Sequence, residues 1–368
     1  MTKEELYKAL KDIKIEMTPK ERIKEYLKGN EVDCIPYGFL APEDAMAAMW
    51  GYSNQKIKYS FDIKCQLKNR IKEEYGFSGI SASMGLRGIG EAVGSKIECS
   101  ELGMDYVSDY IVKNYTEIDF EEPLDVNENS FLREKLNEGK RLQDCFPNEE
   151  ISTDVAGPIS TAAAIRPVEL LLRDMKKRPE KLHRLLQYAV DCSLAWVEKF
   201  VEETGGRSVS ISDPVTTTDI LGYKYFREYS RPYFEKLFWG IHNITGAKPS
   251  VHICGHTKKI WNDLMEIGVD NFSLDNCEQI EEAKFCMGEK VFLSGNVPPV
   301  DVMLKGSIDE VMESVKTTIE KASDNPKGFM LMTGCQVPIG TPKENFDAYV
   351  LAAHLYGRDA KLGKQCKK

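Results

Sequence analysis

The feature that most constrains this chain is an alternation of short β-type runs with helical stretches. Eight such runs occur, at residues 35–39, 79–83, 151–155, 208–212, 251–254, 271–274, 291–294 and 328–332. Eight is the number a closed parallel barrel requires, and parallel neighbours must be joined by long crossovers, usually helices. From residue 151 onward the helical stretches are regular, at 167–175, 179–203 and 223–238, which favours βα units over an antiparallel design. The expected fold is α/β, a (β/α)8 TIM barrel with an N-terminal helical and hairpin extension. At 368 residues the chain falls inside the range of such a barrel with insertions.

Residues 1–30 are expected to form the helical extension, with helices at 3–15 and 18–28, and residues 31–368 the barrel, with an irregular insertion at about 85–145. Within that insertion, Gly85-Leu86-Arg87-Gly88-Ile89-Gly90 lacks the following helix and acidic ribose partner of a dinucleotide fingerprint, and it reads as a loop. A hairpin-like excursion is expected at 95–118.

Composition excludes several functions. A hydrophobic content of 42% is ample for a core, yet no run of about eighteen apolar residues suggests a membrane span. Met1-Thr2-Lys3-Glu4-Glu5-Leu6 does not resemble a secretory signal, so a cytoplasmic protein is expected. Ten cysteines without close pairing then read as thiols and ligands rather than a disulfide framework. A net charge of -9 argues against nucleic acid as a partner, because phosphate neutralisation needs clustered Lys and Arg.

Barrel catalysis uses the loops at the carboxyl ends of the strands, and the unusual residues gather there. His252 and Cys254 stand two apart in a strand-like segment, so both side chains project to one face. Cys335 comes after another strand in a Gly334-Cys335 turn. One imidazole and two thiolates with a fourth position open is the pattern of catalytic zinc, whereas a structural site needs four protein ligands. The competing reading is that an H-x-C spacing arises by chance and that free Cys packs as a small hydrophobe. Asp213 and Asp275 end the fourth and sixth strands, where a carboxylate suits a catalytic site and a helix cap equally. Tyr37 in the first strand, Asp213 at the end of the fourth and Asn296 after the seventh are candidate substrate contacts. His256 has polar, cationic neighbours and reads as a loop residue; His183, His242 and His354 lie in helical surroundings and read as structural.

The ordered set Gly157-Pro158-Ile159-Ser160, Ser212-Asp213-Pro214, His252-Ile253-Cys254-Gly255-His256-Thr257, Ser273-Leu274-Asp275-Asn276, Gly295-Asn296-Val297-Pro298-Pro299 and Gly334-Cys335 with Thr341-Pro342-Lys343-Glu344-Asn345 resembles the uroporphyrinogen decarboxylase superfamily. More narrowly it is similar to that superfamily's zinc- and corrinoid-dependent methyltransferase branch, whose metal ligands map onto His252, Cys254 and Cys335. The decarboxylases proper end their first strand with arginines that clamp substrate carboxylates. Here Tyr37-Gly38-Phe39-Leu40-Ala41-Pro42-Glu43-Asp44 contains no Arg. The resemblance therefore implies methyl transfer, with Zn2+ at the barrel mouth. The cobalt-ligating pattern of cobalamin carriers, similar to D-x-H-x-x-G, surrounds none of the five histidines. The corrinoid (cobalamin) is thus expected on a separate corrinoid protein docking over the strand ends. Two transfers fit one scaffold: from a small methylated donor, an aryl methyl ether as in O-demethylation, to cobalt, or from methyl-cobalt to a thiol. The fuller motif string is more similar to the O-demethylation components. Charge favours the thiol, since two thiolates offset the metal's charge and make it a modest Lewis acid, but the resemblance of the motif string sets the expected direction, from an aryl methyl ether to cobalt, with transfer from methyl-cobalt to a thiol as the alternative.

Overall fold

The computed structural model describes residues 1–76, 79–99, 105–116 and 120–367. Its strands, in chain order, are β1 (Val32–Cys34), β2 (Ile80–Ser81), β3 (Lys96–Glu98), β4 (Tyr106–Asp109), β5 (Ile151–Ala156), β6 (Val209–Ser212), β7 (Ser250–Ile253), β8 (Asn271–Leu274), β9 (Phe292–Val297), β10 (Phe329–Thr333) and β11 (Arg358–Ala360). The chain divides into two compact units, Met1–Ser78 with Asp270–Lys368, and Gly79–Val269.

In the first unit, Thr2 and Thr18 open helices Lys3–Asp12 and Pro19–Leu27 with capping boxes closed by Glu5 and Glu21. Both helices fall where the charged N-terminal stretches predict them. β8, β9 and β10 run parallel, with Ser273 opposite Ser294 and Asn296 opposite Met332. The expected strand at 35–39 shrinks to a bridge between Tyr37 and Leu331. Leu331 N–H donates to Pro36 O and Gly38 N–H to Leu331 O, each at 2.9 Å. Pro36 has no N–H to carry the ladder back toward residue 35, which is why pairing stays this short. Around that segment Phe39 packs its ring against Phe346 and Tyr349, at centroid distances of 5.1 and 4.5 Å. The Tyr349 hydroxyl donates to Gly38 O at 2.9 Å. β1 pairs antiparallel with β11, and Asp33 of β1 takes two hydrogen bonds from buried Arg22, at 2.6 and 2.8 Å.

In the second unit β2, β5, β6 and β7 run parallel in that order. With β8, β9, β10 and the Tyr37 bridge, all eight predicted parallel-strand positions are present. β3 and β4 form the expected antiparallel hairpin; parts of that excursion, 100–104 and 117–119, lie outside the described residues. Two expectations are corrected. The stretch from Gly85 to Gly90 is not all loop, because Gly88–Val93 is a short helix. A Cβ on Gly90 would stand 2.6 Å from Ala164 Cβ, so glycine is what allows this helix to touch helix Pro158–Ile165. The helix expected at 223–238 is helical throughout but not all α: Tyr223–Tyr225 continue from a helix that starts at Thr218, Phe226–Ser230 widen into one π-helical turn, and Arg231–Thr245 are α again. Gly222, at φ 68°, kinks the first piece, and Pro232 supplies no N–H for a regular turn before the last. The long helix Pro179–Thr204 agrees with expectation and covers β5, burying Trp196 and Phe200 completely. Arg166 and Asp174 form an ion pair at 2.8 Å with neither side chain exposed.

Candidate metal centre

β7 is the innermost source of ligands. Its register is set by Ser212 opposite His252, and Asp213 N–H donates to His252 O at 3.0 Å. The ladder therefore fixes the His252 backbone, and the imidazole is buried at 6% exposure. Strand alternation brings Cys254 to the same face, where its Sγ lies 3.2 Å from His252 Nε2. At ordinary Zn–N and Zn–S bond lengths and a tetrahedral angle, two such ligand atoms stand about 3.6 Å apart. The pair needs to open by only a few tenths of an ångström to share one ion.

Gly334 closes β10 with its N–H on Val297 O at 2.9 Å. A Cβ there would meet Asn276 N at 2.5 Å, so the backbone approaches closely and Cys335 emerges half-buried at the strand end. His252 and Cys254 thus make a soft pair of potential ligands within the second unit, and among the described residues of the first unit Asp33, Cys34 and His354 have their ligand atoms within 4.8 Å of one another. The donor chemistry separates them. The first set is soft and partly open, as zinc prefers. In the second, the Asp33 carboxylate is already neutralised by Arg22, burial pushes the Cys34 thiol far up, and burial holds His354 down at about 4. That set is a packed neutral cluster beside one ion pair.

The other residues read as site candidates are each engaged by a partner nearby. Asp213 ends β6 with no exposure, and its Oδ1 accepts the Ser160 N–H at 2.9 Å, three residues into helix Pro158–Ile165. Its Oδ2 is buried without a hydrogen-bond partner among the described residues. Desolvation raises this carboxyl to about 6. Asp275 Oδ1 accepts the Cys277 N–H at 3.0 Å, a turn leading into helix Ile280–Met287. Asn296 donates its amide to Asp275 O at 3.1 Å and to Glu278 O at 2.9 Å, which ties β9 to that turn. Tyr37 places its hydroxyl 3.3 Å from His354 Nε2, inside the buried cluster.

Sequence reading passed over Asp219 and Asp154. Asp219, in the first turn of helix Thr218–Tyr225, accepts from both His256 N–H and His256 Nδ1, at 3.2 and 2.9 Å, and the imidazole holds its carboxyl below the usual range. Asp154 of β5 accepts from Ser83 Oγ and Met84 N, at 2.8 and 2.6 Å, and so shapes the loop after β2. Neither carries a local motif; each becomes visible only when the adjoining loop is folded.

Three comparisons bear on this arrangement. Over 366 residues the chain is 24% identical to methylcobamide:CoM methyltransferase MtaA of Methanosarcina barkeri, covering 93% of this chain and 99% of that one. It is 24% identical over 347 residues to a methylated-thiol–coenzyme M methyltransferase of Methanosarcina mazei, covering 92% and 89%. A solved methyltransferase from Methanosarcina mazei superposes with a TM-score of 0.72 at 22% identity, covering 92% of this chain and 98% of that one, which establishes the (β/α)8 barrel fold. The family model for uroporphyrinogen decarboxylase (URO-D) matches residues 18–356, from the cap of the second helix to the last turn of helix Lys343–Tyr356. A match of that extent, over a barrel with these strand ends, shows that the chain belongs to the uroporphyrinogen decarboxylase (URO-D) family.

Proposed function

We propose that this protein is a zinc-dependent methyltransferase that exchanges a methyl group between the cobalt of a corrinoid protein and a small substrate held at His252, Cys254 and Cys335. The observation that carries the reading is the soft His252–Cys254 pair, 3.2 Å apart at the end of β7, which with Cys335 would give the donor chemistry of an open catalytic zinc site. A zinc ion there would supply Lewis acidity that favours the anionic form of a bound thiol or phenol. The chain's own residues do the rest. The β7 ladder and the Gly334 turn present the ligands, and Asp275 and Asn296 brace the loop after β8. Asp213 braces helix Pro158–Ile165 at its N-terminus. In this reading Asp213 and Asp275 act on the chemistry by holding those elements in place.

The same donor set favours a thiol as methyl acceptor, because two thiolates already offset the metal's charge and leave little Lewis acidity for expelling a phenolate. The full-length relatives support it, since their names describe methyl transfer to coenzyme M. In the balanced reaction the thiol sulfur displaces cobalt from the methyl carbon. A thioether and cobalt(I) form, and the thiol proton leaves to solvent. The aryl methyl ether donor indicated by the motif string runs the other way, with cobalt(I) attacking the ether methyl.

The test tracks cobalt by absorbance, with the full-length protein loaded with zinc. Methylcobalamin is mixed with a panel of small thiols, and separately cobalt(I) cobalamin with methoxylated aromatics; both arms are repeated with a corrinoid protein from the same organism. Loss of methyl-cobalt with a thiol, abolished in His252→Ala, is the expected result. Methylation of cobalt(I) by an ether, with no thiol reaction, reverses the direction. Inertness in both arms overturns the reading.

A further inference from the structure

His252 and Cys254 are held by different means. His252 is inside the β7 ladder, but the strand ends at Ile253, so Cys254 lies beyond the last ladder pair. The chain turns immediately after it: Gly255 adopts φ +78°, and His256 and Thr257 lead into the next helix. A ligand on such a turn is only as well placed as the turn itself.

The turn is gripped by the loop after β6. Asp219 accepts from His256 N–H at 3.2 Å and from His256 Nδ1 at 2.9 Å. Thr218 Oγ1 donates to His256 O at 2.8 Å, and Thr217 Oγ1 approaches the same carbonyl at 3.4 Å. Both ends of the His256 peptide unit are thus bonded to three consecutive residues. The fit leaves no room at Gly255, where a Cβ would lie 2.8 Å from Thr217 Oγ1 and 3.1 Å from Asp219 Oδ2. On the far side Trp261 Nε1 donates to Thr257 Oγ1 at 3.0 Å. The Asp219 backbone is itself anchored by helix Thr218–Tyr225, whose Leu221 N–H returns to Thr217 O at 3.0 Å.

We infer that Asp219 is a positioning residue for the metal centre, clamping the Gly255-His256 turn so that the Cys254 thiolate stays beside His252. This inference rests on the zinc reading of the site. Asp219 and His256 are more than half exposed, at 52% and 61%. As an exposed hydrogen-bonded pair they add little to global stability, and their effect is local order. Loss of a partner bonded directly to a metal ligand weakens metal binding by roughly 10–100-fold; Asp219 bonds the turn beside the ligand, so the loss expected here is at the low end, roughly tenfold.

Two measurements on the full-length protein separate this inference from the reading beneath it. In metal-free protein, deuterium uptake of a peptide spanning 254–257 is compared between wild type, Asp219→Ala and Asp219→Asn. The clamp requires faster uptake in Asp219→Ala, with Asp219→Asn in between because one acceptor oxygen survives. Equal uptake in all three overturns it, whether or not zinc binds. Zinc affinity is then read by competition with a chromophoric chelator, together with the thiolate charge-transfer band of the cobalt(II)-substituted protein. Asp219→Ala should lose roughly tenfold in affinity and change that band, with partial rescue in Asp219→Asn. Wild-type affinity and spectrum in Asp219→Ala overturn the positioning role. A wild-type protein that binds neither metal overturns the zinc reading instead.

Discussion

The Nε2 of His252 stands 3.2 Å from the Sγ of Cys254. One ligand on β7 and one on the residue just after it thereby stand close to metal-ligand spacing, so little ordering cost remains for binding. The purified protein should carry about one zinc per chain, as a three-ligand catalytic site would. His252→Ala and Cys335→Ser should each strip it. Because a metal at a barrel mouth is not the core, the far-ultraviolet circular dichroism of both variants should stay close to wild type. Undiminished zinc in both variants, by elemental analysis, would remove the central proposal.

Gly157 provides a test of the strand-end packing. A Cβ at this position would stand 2.3 Å from the Asp213 Cβ, Cγ and Oδ2, and Asp213 is fully buried on its helix cap. Gly157→Ala must push the carboxylate off the Ser160 amide or shift β6. Overpacking of this kind costs about 1–3 kcal/mol, read as a lower urea midpoint. Gly79→Ala is the control, since a Cβ there meets nothing within 4 Å. Equal midpoints for the two variants would show that the Gly157 backbone relaxes freely.

Much of this was legible in the sequence because barrel strands are short, apolar and punctuated. All eight strand positions were foreseen, and the period-two rule alone put His252 and Cys254 on one face. What was hidden depends on partners far along the chain. Tyr37 read as a substrate contact because it begins the stretch Tyr37–Asp44 that stands where the decarboxylases carry their arginines, yet its hydroxyl meets His354, 317 residues later. Nothing near residue 37 encodes that. Asp213 was open between site and cap, and the Ser160 amide that it caps belongs to a different βα unit. The widening of the helix at 226–230 carries no local signal either, because apolar periodicity survives a single π-helical turn.

His354 gives a pH dependence with a definite sign. Burial lowers its folded pKa to about 4, from an ordinary value of 6.5. The unfolded state therefore binds more protons between those values, and stability rises with pH across that window. The contribution is fully present above about 6.5 and is lost as pH falls toward 4. Replacing the group by a non-titrating one of similar shape, His354→Gln, should flatten the difference in urea midpoint between pH 7 and pH 5 relative to wild type. An unchanged pH slope in the variant would mean that His354 is protonated in the fold.

The final prediction concerns the reaction after which the family is named. A porphyrinogen with many carboxylates needs guanidinium groups at the first strand end, and the stretch from Tyr37 to Asp44 offers none. The one arginine over the Tyr37 ring is Arg22, 5.5 Å from its centroid among the described residues. Arg22 is 2% exposed and already makes two hydrogen bonds to Asp33 and one to Met17 O. Freeing it would leave the Asp33 charge buried and unpaired, which costs about 3–5 kcal/mol. No substrate carboxylate recovers that much from one contact. Uroporphyrinogen and coproporphyrinogen should therefore neither bind tightly nor lose carbon dioxide with this protein, as measured by chromatography of the oxidised porphyrins. Stepwise loss of carboxyl groups at a rate above the protein-free control would return the chain to the decarboxylases and set aside the methyltransferase proposal.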